Sequence, residues 1–119
     1  MKVYAFESDK KGFMELENTL KAEQAFVGGL IEVVALTEDI DLVLNEEGLL
    51  LDLEPMVSLK LDGNRSIVIV GNCFVCRHNR RGDFESLRDE DITVIEERLT
   101  HLDSPAKKLL GLIAAIQFA

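Results

Sequence analysis

Between Leu30 and Arg77 the chain gathers short runs of apolar, largely β-branched residues and breaks each with Asn, Asp or Gly. That rhythm builds strands joined by tight turns, not helices. Leu30–Leu36 is nearly unbroken in apolarity and reads as a central strand, with Glu32 turned to solvent or a partner. Ile40–Leu44 is the next strand, and Asn45-Glu46-Glu47-Gly48 closes it as a turn. Ser66–Val70 follows, and Cys73–Arg77 continues or pairs with it after Gly71. Upstream, residues 2–7 and 13–16 form a hairpin across the turn-rich Ser8–Gly12. Asn18 and Thr19 cap a helix running to about Val27, which Gly28-Gly29 ends. Residues 49–63 can be strand or loop, because Leu49-Leu50-Leu51 is apolar while Pro55 argues against a central strand. The strand order cannot be read.

The last third changes period. Ile92, Ile95, Leu99 and Leu102 fall at helical spacing, and Ser86 with Asp89 can form a capping box ahead of Asp89-Glu90-Asp91. Ser104-Pro105 starts a second helix, with Leu109, Leu112, Ile113 and Ile116 as its stripe. Leu110, Ala114 and Phe118 widen that stripe almost to the whole circumference. A helix this apolar must be covered on most sides. Leu109, Leu112, Ile113, Ile116 and Phe118 are therefore candidates for a homodimer contact, the alternative being that they roof the sheet of a monomer.

These elements predict one α+β domain over residues 1–119, a sheet-rich body at 1–88 followed by C-terminal helices at 89–119. The expected sheet is mixed or mostly antiparallel with about five or six strands. One short helix follows the first hairpin, and a helical pair ends the chain. At 119 residues the chain is of single-domain size. Its 47% hydrophobic content supports a core, which must be aliphatic, since aromatic residues make up only 6%.

The formal charge of −9 repels phosphate, which disfavours direct nucleic-acid binding and membrane-surface binding. It suits solubility or a basic partner. Acidic runs such as Glu38-Asp39-Asp41, Glu46-Glu47, Asp89-Glu90-Asp91 and Glu96-Glu97 can also imitate the charge of DNA, or can simply be solvated faces. The N-terminus lacks a signal-peptide pattern, and Leu109–Phe118 is far short of the roughly 20 residues a membrane span needs. With two cysteines and no export signal, a cytoplasmic location is expected.

Cys73-x-x-Cys76, with His78 beyond it, admits several readings. A redox pair should open a helix, whereas this pair sits in a strand, where residues three apart face opposite ways. Zinc could use Cys73, Cys76 and His78, with His101 as a fourth candidate, but a zinc knuckle needs a turn and usually a second pair. Haem attachment needs a histidine where Arg77 stands. The plain alternative is two small buried hydrophobes, so no cofactor is expected. Arg77, His78, Arg80 and Arg81 form the one basic cluster, with Arg65 and Arg88 as candidates to join it. Arginine forks can hold a phosphate or carboxylate there, or the cluster is a solvated hairpin tip. No nucleophile elbow, P-loop or dinucleotide fingerprint is present, so no catalytic residue is assigned and a non-enzymatic role is expected.

The ordered set Phe26-Val27-Gly28-Gly29-Leu30-Ile31-Glu32-Val33-Val34, Leu42–Gly48, Ile67–Asn72 and Asp83-Phe84-Glu85-Ser86-Leu87 with Asp89-Glu90 resembles a family of small uncharacterised proteins of phages and mobile elements. The resemblance spans residues 1 to about 100. It departs from the family pattern at Pro55-Met56-Val57 and in the apolar tail. It carries no catalytic residues. By analogy it implies an accessory protein that binds and blocks a host macromolecule. The alternatives are a small-molecule or nucleotide binder using Arg77–Arg81, and a zinc-stabilised module.

Overall fold

The structure is a computed structural model and describes residues 1–7, 10–61, 65–101 and 114–118. Its elements run β1 (Lys2–Glu7), β2 (Lys10–Glu15), α1 (Leu20–Val27), β3 (Ile31–Ala35), β4 (Ile40–Asn45), β5 (Pro55–Leu61), β6 (Arg65–Val70), β7 (Cys73–His78), β8 (Phe84–Glu85), α2 (Asp89–Arg98), β9 (Leu99–His101) and β10 (Ala114–Phe118). The fold is α+β and mostly antiparallel. A six-stranded sheet has the order β2-β1-β7-β4-β3, with β8 paired to β7. A second, four-stranded sheet has the order β6-β5-β10-β9.

Strand alternation sorts the side chains into two cores. Tyr4, Phe6, Leu42, Cys73 and Val75 of the first sheet meet Val57, Leu59, Ile69 and Ile116 of the second, together with Ile95 of α2. On the opposite face, Val3, Ala5, Val43, Phe74 and Cys76 pack with Val27 of α1. The central strands β1, β7 and β4 are thus buried on both faces, which is why they read as continuous apolar runs.

The predicted hairpin and first helix are present. Thr19 caps α1 by accepting from the Ala22 N–H at 3.1 Å, and Gly28 ends it in the left-handed region at φ 87°. Several expectations are corrected. β3 is an edge strand, not a central one. β6 and β7 do not pair, because the chain changes sheets at Gly71. Pro55 opens β5, an interior strand, and a register shift between Pro55 and Val57 accommodates its missing N–H.

α2 begins after Arg88, whose N–H donates to Asp91 Oδ2 at 2.8 Å. Ser86 does not cap it, and its hydroxyl accepts from Lys2 N–H at 2.9 Å instead.

The expected helix over 104–118 is overturned at its C-terminal end. Ala114–Phe118 is a strand, parallel to β5 and antiparallel to β9. Ala114 and Ile116 are buried within their own chain, so Ile116 is core and not a free dimer surface. Phe118 pairs with Leu61 through its backbone. Leu109, Leu112 and Ile113 lie outside the described residues.

Candidate functional site

β7 ends where the basic cluster begins, and the pleat divides that cluster. Arg77 follows the parity of Cys73 and Val75 and turns toward α2. Its Nη1 donates to Asp91 Oδ1 at 2.6 Å, and Asp39 and Glu85 lie 3.6 and 3.8 Å from its other nitrogens. Burial opposes the guanidinium charge, but the Asp91 hydrogen bond and the charges of Asp91, Asp39 and Glu90 raise its pKa above the ordinary value. Arg77 is therefore a structural cation already spent on carboxylates.

His78 follows the parity of Phe74 and Cys76. Its Nδ1 lies 2.7 Å from Oδ2 of the buried Asp41 on β4. A carboxylate can only accept there, so Nδ1 carries the proton. Beyond His78 the chain turns through Asn79–Asp83. The Asn79 side-chain oxygen accepts from the N–H groups of Arg81 and Asp83, and Gly82 takes φ 84°. Arg80 and Arg81 are exposed on this turn. A cleft of about 720 Å³ opens here, lined by Glu38, Asp39, Arg77, His78, Asn79, Arg80, Gly82, Glu85 and Arg88. Its acidic and basic side chains are mixed, which does not make it a strong anion trap. Arg65 opens β6 in the other sheet.

The cysteines take the opposite-face arrangement expected of a strand. Cys73 lies in the core between the sheets and Cys76 in the core under α1. Burial raises both thiol pKa values, and at Cys76 the charges of Asp41 and Glu23 add to it.

A second concave surface lies where the two sheets diverge. It is a groove of about 380 Å³ lined by Glu32, Leu44, residues 45–50 and Ile67–Val70. The loop after β4 is pinned. Asn45 donates to Val27 O at 3.0 Å and accepts from Glu47 N–H at 2.7 Å. Leu51 N–H and Leu53 N–H reach back to Glu47 O and Gly48 O at 2.9 and 3.0 Å. Gly48 packs so tightly on Val70 that a Cβ there would come within 2.7 Å of it. This held loop presents Leu49 and Leu50 to solvent at 82% and 86% exposure, beside Ile67 at 41% and Val68 at 53%.

A family model described as a domain of unknown function (DUF3846) matches residues 1–100. The chain belongs to this family. No curated protein and no solved structure matches it. The DUF3846 region contains the His78 cleft and the groove, and it ends before β10.

Sequence reasoning named His78, Arg77 and Arg80 at the cleft and Asp41 and Asp91 only as members of acidic runs; it missed that these two arrive from β4 and α2 to pair with His78 and Arg77. It also missed the groove. The available signal was Leu49-Leu50-Leu51 directly after a Gly turn, too apolar for a solvated loop.

Proposed function

We propose that this DUF3846 protein is a non-enzymatic accessory protein of a phage or mobile element. It acts in the host cytoplasm by binding, and thereby inhibiting, a host macromolecule. The observation that carries this reading is the pair Leu49 and Leu50, held out by a fixed loop beside exposed Ile67 and Val68. Contiguous apolar surface on an otherwise acidic molecule is characteristic of a docking face. The resemblance of the ordered motifs to those of small phage and mobile-element proteins supports the same role.

The test is photo-crosslinking from position 50 in a bacterial host, with Leu49→Asp as the control. A defined host protein, crosslinked by the parent chain and lost in the variant, supports the reading. Turnover of a metabolite by the purified protein overturns it. A homodimer is part of the proposal, and native mass spectrometry reads it directly.

A second reading has its own observation. His78, Arg80 and Arg88 line one cleft, and among the described residues Arg80 is in no ion pair. That cleft could hold a nucleotide phosphate. A nucleotide-sized adduct in gently purified protein, lost on replacing Arg80 and Arg81 with alanine, would favour it. Unchanged affinity in that double variant would end it.

A further inference from the structure

The sheet edges differ in how they are protected. β2 carries Lys10 and Lys11, β3 carries the exposed Glu32, and β9 has three residues. Charges and brevity of this kind deter a foreign strand from pairing. β6 lacks them. Among the described residues it pairs with β5 alone, and Ser66-Ile67-Val68-Ile69-Val70 contains neither charge nor proline. Ile67 and Val68 belong to opposite faces of the strand, yet both are well exposed. Among the described residues, the edge is therefore uncovered on both faces of the strand.

The groove beside this edge has its own chemistry. Leu44, Leu49 and Leu50 supply apolar walls, and the charged side chains lining it are Glu32, Glu46 and Glu47, all acidic. A second copy of the chain would set these glutamates against their own counterparts, within a molecule whose formal charge is already −9. An extended segment with alternating apolar and basic side chains has the complementary pattern.

We propose that β6 accepts such a segment from a partner protein by strand addition. Backbone hydrogen bonds form along Ser66–Val70, apolar side chains enter the groove, and Lys or Arg side chains meet Glu32, Glu46 and Glu47. This rests on the docking-face reading above and names the class of partner. The protein becomes a sheet edge that captures basic, extended segments.

The probe is a fluorescein-labelled peptide of alternating lysine and valine, with a glutamate–valine peptide as control. Binding is read by anisotropy, and hydrogen exchange is followed at residues 66–70. The lysine–valine peptide is expected to bind, to protect β6 amides, and to lose affinity with salt. Val68→Lys should weaken it at least tenfold, and the paired Glu46→Gln and Glu47→Gln changes should weaken it severalfold. Both sites are exposed, and unchanged circular dichroism checks that the variants fold.

Equal binding of the acidic peptide, or binding unmoved by Val68→Lys, overturns the proposal. So does a concentration-dependent dimer that Val68→Lys dissolves while the peptide fails to bind. A host protein crosslinked from position 50 that leaves β6 amides unprotected overturns strand addition alone and leaves the docking face standing.

Discussion

Glu23 lies on the buried face of α1, and its Oε2 has no hydrogen-bond partner among the described residues. Burial raises its carboxyl pKa from the ordinary 4.5. A raised folded value means that the stability linked to this group is fully present below its unfolded pKa. It is lost as pH rises through the folded value. Glu23→Gln should therefore stabilise the protein at pH 7, by about 1 kcal/mol. The gain should shrink toward zero near pH 4, and melting curves at the two pH values check this. Arg77 makes the opposite case. Arg77→Ala leaves Asp91 buried without its cation and should cost about 3 kcal/mol in urea unfolding. Arg88→Ala, whose ion pairs are exposed and 3.7 Å long, should cost well under 1 kcal/mol. Sequence grouped Arg77 with Arg80 and Arg81 by proximity along the chain. Their separation depends on a carboxylate fourteen residues away, on an element the strand pattern does not locate. The opposite placement of Cys73 and Cys76, by contrast, follows from the pleat alone and was legible.

At the scale of elements, local signals were reliable where the determinant is local. The Thr19 cap, the Gly28 ending and the β4 turn each rest on residues within one turn of each other. Expectations slipped where a partner decides the outcome. Leu30–Leu36 looked central because it is apolar, yet β3 is an edge whose Val33 remains largely exposed. Ala114–Phe118 carried helical spacing, yet pairing on both sides by β5 and β9 holds it as a strand. Tertiary context overrides propensity in this way when a short apolar segment fits either period. The consequence is measurable. Ile116 packs with Val57, Leu59 and Ile95 between the sheets, so Ile116→Ala should lose about 3 kcal/mol. That loss should not depend on protein concentration, as it would if Ile116 sat in a dimer contact. Ile67→Ala, on the exposed edge, should cost much less.

At the scale of the molecule, the family match and the fold do not end together. The match stops at residue 100, whereas β10 lies beyond it and occupies the interior of the second sheet, between β5 and β9. Without β10, β5 would lose its parallel neighbour, and β9 would lose the one strand it pairs with among the described residues. The buried side chains of Val57 and Leu59 would lose Ile116 as cover. A family core that folded alone would need another strand in that place. In this chain the tail supplies it, so residues 1–100 expressed by themselves should not melt cooperatively. The fragment should bind a hydrophobic dye strongly, and addition of a peptide spanning residues 102–119 should restore part of the cooperative transition. If the fragment instead melts sharply at the parent temperature, β10 contributes little to the fold. The four-stranded sheet would then close without it, and the parallel pairing with β5 would be an addition to a finished domain.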